Sequence, residues 1–271
     1  MATKTNLAIA GASGRMGRML LECASQDPAI ELIAALDAEQ SKAIGVSARL
    51  FGANTDVFVT DTANALESGD VLIDFTRPEG TLAYLAQCER QNAGIVIGTT
   101  GFDAAGKAQI EAAAKKIPIV MSPNFSVGVN TVFRLLALAA KSLNDGYDIE
   151  ILEMHHRMKV DAPSGTAIKL GEVIAEAQGS RLEDRAVYSR EGHTGERERG
   201  SIGFATLRGG DVVGDHTVIF AGAGERIEIT HKSSSRMAYA KGAIAAAKFL
   251  ASKPAGLYDM FDVLGLRDAK N

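Results

Sequence analysis

The stretch Leu7-Ala-Ile-Ala-Gly11-Ala-Ser-Gly14-Arg-Met-Gly17-Arg-Met-Leu20 decides the fold. Its apolar run stops at a glycine turn, and a helix-type segment follows at once. A helix that starts at the carboxyl end of a strand points backbone N–H groups and the positive end of its dipole at one place, which suits a pyrophosphate. Asp37 stands 20 residues beyond Gly17, at the end of the second β-type run, where a carboxylate can accept hydrogen bonds from adenosine ribose hydroxyls. The glycines are spaced GxxGxxG, with Ser13 where a middle glycine usually stands. The turn alone is weak evidence. Strand, turn, helix and spaced acid together specify a dinucleotide site.

Outward from this unit, short apolar runs at 7–11, 31–37, 71–76, 94–100 and 117–123 alternate with helix-type segments such as 14–25, 79–91 and 103–116. The apolar positions in the runs are continuous, as in strands buried on both faces, so a doubly wound parallel sheet of Rossmann type is expected. From Asn130 the pattern changes. An amphipathic helix marked by Val132, Leu135, Leu136, Ala139 and Leu143 precedes a strand-like DIEILEMHH and a second helix with Ala167, Leu170, Ile174 and Ala177. Stretches 201–207, 212–221 and 225–231 read as antiparallel strands split by glycine-rich turns, giving an α+β domain with an open mixed sheet. A last helix, with Ala240, Ile244, Ala247 and Ala251 on one face, is expected back in the first domain. The expected division is 1–126 with 236–271 for dinucleotide binding, and 127–235 for substrate binding and oligomerisation.

Composition is that of an ordinary globular protein with enough apolar material for sizeable cores: 271 residues, 46% apolar, with 29 Lys plus Arg against 33 Asp plus Glu for a net charge of −4. Nothing global draws the chain to nucleic acid or an anionic membrane. The apolar runs fall short of the roughly 20 residues of a membrane-spanning helix. Cys23 and Cys88 sit in apolar helix-type surroundings, the pattern of reduced structural thiols, and the cytoplasm is the expected compartment.

A carboxylate at Asp37 repels a 2′-phosphate, and the next residue is Ala38 rather than an arginine, which favours NADH; Arg15 and Lys42 leave NADPH open. Other strand ends on the same side carry Thr76-Arg77, Gly98-Thr99-Thr100-Gly101 and Pro123-Asn124-Phe125, candidates for the nicotinamide ribose and ring.

The densest chemistry is His155-His156-Arg157-Met158-Lys159, followed by Pro163-Ser164-Gly165-Thr166 opening a helix. Four cationic or protonatable groups within five residues mark an anion site. Ser164, Gly165 and Thr166 stand where a helix N-terminus can hold a carboxylate, so a small dicarboxylate is the expected ligand. His155 and Lys159 can move a proton during reduction of a C=N or C=C bond. A metal is not expected, because adjacent histidines point to opposite faces of a strand and the HxxxH spacing is absent. Salt bridges to Glu150, Glu153 and Asp161 are the plainer reading of the same charges.

The ordered set AGASGRMGR, IDFTRPEGT, VIGTTGF, NFSVGVN, EMHHRMKVDAPSGTA, YSREGHTGERERGSIGFATLRGGDVVGDHTV and ITHKSSSR resembles the dihydrodipicolinate reductase family nearly end to end. The resemblance implies a homotetramer that reduces a dehydrated heterocyclic dicarboxylate with NADH or NADPH on the diaminopimelate route to lysine. It implies His155 as acid/base and Lys159 as proton donor, with His156, Lys159, Ser164, Gly165 and Thr166 on the substrate carboxylates. Gly11, Ala12, Ser13, Gly14, Arg15 and Met16 would take the pyrophosphate and Asp37 the adenosine ribose. Gly98, Thr99, Thr100, Ser122, Pro123, Asn124 and Phe125 would take the nicotinamide end. The charged segment Arg190–Gly200 has a solvated loop as its default, with an interface loop as the alternative. Two other readings stand: a dehydrogenase of another small acid, which leaves HHRMK followed by PSGT without a role, and a dinucleotide-binding sensor, for which no basic DNA-facing surface is evident.

Overall fold

A computed structural model describes residues 4–61 and 66–267. Residues 1–3, 62–65 and 268–271 of the expected first domain lie outside the described residues. The Cα positions divide into two compact units, Met1–Val127 with Arg236–Asn271 and Gly128–Ser235.

In the first unit seven strands form one parallel sheet: β1 (Thr5–Ala10), β2 (Ile30–Leu36), β3 (Val59–Thr60), β4 (Val71–Asp74), β5 (Gly94–Ile97), β6 (Pro118–Met121) and β12 (Gly256–Tyr258). Their order is β12-β6-β5-β4-β1-β2-β3, which reverses direction at β1. In such a sheet the ligand crevice opens at the carboxyl ends of the strands beside the reversal. Alternate residues of each strand face opposite layers. Leu7 and Ile9 join α1 (Arg15–Gln26) and α6 (Met237–Leu250) in one core; Ala8 and Ala10 join α2 (Pro78–Gln91) and α3 (Ala104–Ala113) in the other. Cys23 and Cys88 are buried in these two layers and form no disulfide. The two-residue β3 and three-residue β12 escape the sequence pattern because they are too short to show a period.

The second unit is built on a five-stranded mixed sheet, β11-β10-β7-β9-β8. Its strands are β7 (Asp148–His155), β8 (Ala186–Val187), β9 (Ile202–Arg208), β10 (Gly214–Ala221) and β11 (Arg226–Ser233). The expectation of three antiparallel strands is corrected for β9, which runs parallel to both β7 and β8, whereas β10 is antiparallel to β7 and β11. On β7, Ile149, Ile151, Glu153 and His155 point to the buried side. That side is where α5 (Gly165–Ala177) buries Ala167, Leu170, Gly171, Ile174 and Ala175.

The helix α4 (Val127–Ser142) differs in phase from the sequence reading. It buries Val129, Asn130, Phe133, Leu136 and Ala140, and leaves Leu135 and Leu138 exposed. Residues 132–133 and 135–140 are all apolar, so periodicity does not choose a face, and the large Phe133 takes the interior.

Candidate active site

The first unit builds the glycine turn as the sequence reading requires. Gly14 N donates to Gly11 O at 2.9 Å, and Gly14 caps α1 without a side-chain hydrogen bond. Gly11 has φ +69°, a conformation glycine adopts freely. A Cβ on Gly17 would stand 2.1 Å from Gly11 O, so only glycine lets α1 pack this close to the turn. Ser13 plays a separate part, because its N–H donates to Asp37 Oδ2 at 3.2 Å and its hydroxyl donates to the same oxygen. The acid that follows β2 is therefore tied to the turn.

A cleft of about 850 Å³ lies here, lined by Gly11, Ser13, Gly14 and Asp37 together with Thr76, Arg77, Gly80 and Tyr84. Its volume and lining suit the adenosine half of a dinucleotide, with a glycine cradle that any Cβ would crowd. Ala12 is fully buried and donates to Leu36 O, Arg15 is exposed on the first turn of α1, and Met16 packs on the core. The residues expected at the nicotinamide end do not line this cleft. Thr99, Ser122 and Phe125 are buried, while Gly98, Thr100, Pro123 and Asn124 keep accessible surface at the ends of β5 and β6.

Beneath these loops is a residue the sequence reading passed over. Asp74 is fully buried and accepts from the hydroxyls of Thr76 at 2.6 Å, Thr99 at 3.0 Å and Thr81. Burial pushes its carboxyl up, against the three hydroxyl bonds that favour the ion. Asp74 thus joins the loops after β4 and β5. Gly98 rests on the Phe75 ring, where a Cβ would come within 2.2 Å, and Phe75 meets Phe125 edge-on.

In the second unit the basic cluster assembles at the end of β7. His155 is 8% exposed, and its Nδ1 lies 2.5 Å from Glu153 Oε2. Arg208 donates to both Glu153 oxygens at 2.9 Å, and Ser164 N donates to Oε1 at 3.0 Å. Ser164 Oγ accepts from Ala167 N as the cap of α5 and lies 3.0 Å from His216 Nε2. The His216 ring stands edge-on to His155 at 5.1 Å. Gly165 is exposed with open space around it, Thr166 and His156 are half-buried, and Lys159 pairs with Asp161 at 2.8 Å. All the expected anion-holding residues thus gather at one end of the unit. Ser164 departs from expectation, since it is buried, its N–H serves Glu153 and its hydroxyl is engaged by Ala167 N and His216, which leaves Gly165 as the exposed residue at this helix start.

Electrostatics divides the labour. Burial works to raise Glu153, yet Arg208, His155 and the Ser164 N–H outweigh it and hold the carboxyl below its ordinary range. His155 is lowered by burial, with Glu153 opposing. Burial pushes His216 down to about 4, so this imidazole is neutral at neutral pH. Asp161 is held low by Lys159.

The salt-bridge reading of the cluster holds for two carboxylates, with His155 on Glu153 and Lys159 on Asp161, whereas Glu150 takes its basic partners from residues 190 and 197 and Glu153 adds Arg208. Arg190 grips Glu150 at 2.9 and 3.0 Å, and Arg197 reaches Glu150, Asp148 and the backbone oxygens of Ile149 and Ser201. Arg190 and Arg197 tie the loop 190–200 to β7, and its residues other than Arg197 are exposed, as the default of a solvated loop has it. Glu153 carried a signal, because it continues the inward alternation of Ile149 and Ile151. Arg208 and His216 carried none nearby; strand register alone sets Arg208 beside His155 and His216 beside Glu153. Among the described residues no group of three or more His, Cys, Asp or Glu side chains is gathered as a metal site.

A glycine turn with a spaced acid on a reversing parallel sheet, and a cluster of histidines and cations about a buried carboxylate on a separate mixed sheet, suit a two-domain dinucleotide-dependent oxidoreductase. Models of the dihydrodipicolinate reductase N-terminus and C-terminus match residues 5–125 and 128–264. A 4-hydroxy-tetrahydrodipicolinate reductase of Cupriavidus taiwanensis is 62% identical over 97% of this chain and 100% of its own length; that of Cupriavidus pinatubonensis is 63% identical over the same shares. A solved structure, dipicolinate-bound dihydrodipicolinate reductase from Paenisporosarcina sp. TG-14, aligns with a TM-score of 0.77 at 27% identity, covering 96% of this chain and 99% of that one. The chain belongs to the dihydrodipicolinate reductase family. No helix among the described residues is long and apolar enough to cross a membrane.

Proposed function

We propose that the chain reduces 4-hydroxy-tetrahydrodipicolinate to tetrahydrodipicolinate with loss of water, using NADH or NADPH, in the diaminopimelate route to lysine. The observation that carries the reading is the gathering of His155, Arg208 and the N-terminus of α5 around one buried Glu153, with Lys159 acting on the His155 ring from the loop that follows. In this reading His156, Lys159, Ser164, Gly165 and Thr166 hold the two substrate carboxylates, which orients the ring. His155 acts as acid/base and Lys159 delivers the proton to the carbon next to the reduced centre. The nearby cations favour the electron-rich enamine formed on reduction. When bound, the reduced nicotinamide supplies the hydride.

Gly11 to Met16 and Asp37 receive the pyrophosphate and adenosine ribose, and Gly98 to Thr100 with Ser122 to Phe125 receive the nicotinamide end. The cleft lining includes Asp37, Glu39, Asp61 and Glu79 against Arg77, an acidic balance that supports a preference for NADH over a coenzyme with a 2′-phosphate. A cytoplasmic homotetramer is the proposed working state.

The test is consumption of NADH and of NADPH, in parallel, with pyruvate, aspartate semialdehyde and the upstream synthase generating the substrate in place. Consumption that requires every component supports the reading. If NADH binds and neither coenzyme is consumed, the assignment of the basic cluster is wrong.

A further inference from the structure

The Glu153 carboxylate is 1% exposed and takes four hydrogen bonds from three parts of the second unit. His155 comes from β7, Arg208 from β9, and the Ser164 N–H from the start of α5. Burying a carboxylate this deeply is costly unless it is paired and hydrogen-bonded throughout. An apolar residue like Ile149 or Ile151, which share its face, would fill the space more simply. We propose that Glu153 is a positioning residue for the reaction, holding His155 in its Nδ1–H form and fixing the N-terminus of α5 relative to that ring. This rests on the reductase reading above.

An ionised carboxylate only accepts hydrogen bonds, so the ring nitrogen that faces it carries a proton. The lone pair, and the proton that comes and goes, then belong to Nε2. That atom faces Gly214, where a Cβ would stand 3.0 Å away, and glycine keeps the approach open. The charged and titratable groups around His155 are Glu153 on β7, Arg208 on β9, His216 on β10 and Lys159 in the loop beyond β7. Glu153 favours a proton on the ring, Arg208 and Lys159 oppose it, and His216 is neutral. Removing the Glu153 charge therefore moves the His155 ionisation to lower pH.

The experiment compares Glu153→Gln and Glu153→Asp with the wild-type chain. Expected for Glu153→Gln are an unchanged NADH Kd, a kcat reduced about tenfold or more, because acid–base catalysis by a misaligned imidazole loses part of its ~10²–10⁴-fold contribution, and a pH profile displaced downward. Glu153→Asp, which keeps the charge, should hold the wild-type pH position. An equal loss at every pH with an unmoved profile would mean a merely structural role and overturn the proposal. Long-range 1H–15N spectra of the wild-type chain labelled at histidine give a second readout that needs no variant: His155 should carry its proton on Nδ1 and titrate at Nε2, and the reverse tautomer overturns the proposal. Failure of the reductase reading would look different, as a chain that turns over no substrate while His155 still shows the Nδ1–H form.

Discussion

Gly17 and Gly165 differ in what an added Cβ would meet. At Gly17 a Cβ would meet Gly11 O at 2.1 Å and Ala12 Cα at 2.7 Å, backbone atoms that no rotamer change can move. Gly17→Ala should cost about 1–3 kcal/mol by overpacking, and it should weaken NADH binding as α1 is pushed off the turn, both seen in a thermal melt and a fluorescence titration. At Gly165 a Cβ meets nothing within 4 Å. Gly165→Ala should melt with the wild type, and on the proposed reading it should raise the KM for the substrate generated in place; an unchanged KM would remove Gly165 from the proposed site. The glycine turn and Asp37 were legible in the sequence because their chemistry is local, a few residues long and repeated at one spacing. The roles of Arg208, His216 and Asp74 were not, since each depends on strands or loops distant in sequence. Ser13, read as a missing glycine, proves to be the residue that ties Asp37 to the turn.

Among the elements, β7 does most to organise the second unit. Its inward residues carry Glu153 and His155, while Asp148 and Glu150 receive Arg190 and Arg197 from the charged loop. Gly203 of β9 makes room for that clasp, since a Cβ there would strike the Glu150 carboxylate at 2.1 Å. Arg197 makes five hydrogen bonds while only 19% exposed. Arg197→Ala should lower stability by on the order of 2 kcal/mol and open residues 190–200 to limited proteolysis, because bonds to charged groups each contribute more than neutral ones. A loop as resistant as in the wild type would show that the clasp contributes nothing to its order. The parallel strands of the first unit were legible because burial on both faces leaves continuous apolar runs. The direction of β9 and the phase of α4 were not, because strand direction leaves no mark on alternation and a helix apolar nearly all round has no preferred face.

For the whole molecule, the buried imidazoles and the division into two units each make a prediction. His155 and His216 are both held below the ordinary value of 6.5 by burial, His216 to about 4. Below pH 6.5 the unfolded chain takes up protons that the folded chain refuses, so stability should be flat above about 6.5 and fall as pH drops toward 4, by on the order of 3 kcal/mol from His216 alone. Glu150 and Glu153, held low in the fold, add their loss only below the ordinary carboxylate value of 4.5. Melting temperatures measured from pH 4 to 8 would expose this window, and a constant value would mean that His216 is not buried neutral. The division into units bears on function. The glycine turn, Asp37 and the 850 Å³ cleft belong to the unit Met1–Val127 with Arg236–Asn271, which has its own two core layers; the His155 cluster belongs to Gly128–Ser235. Glu153, His216 and Asp161, the partners of His155 and Lys159, all belong to that second unit. His155→Gln and Lys159→Ala should therefore each cut kcat by about a hundredfold, the scale of a lost acid–base group, while calorimetric NADH affinity stays within about twofold of the wild type. A tenfold loss of NADH binding in either variant would mean that these side chains touch the coenzyme, and would move them from substrate handling to coenzyme binding.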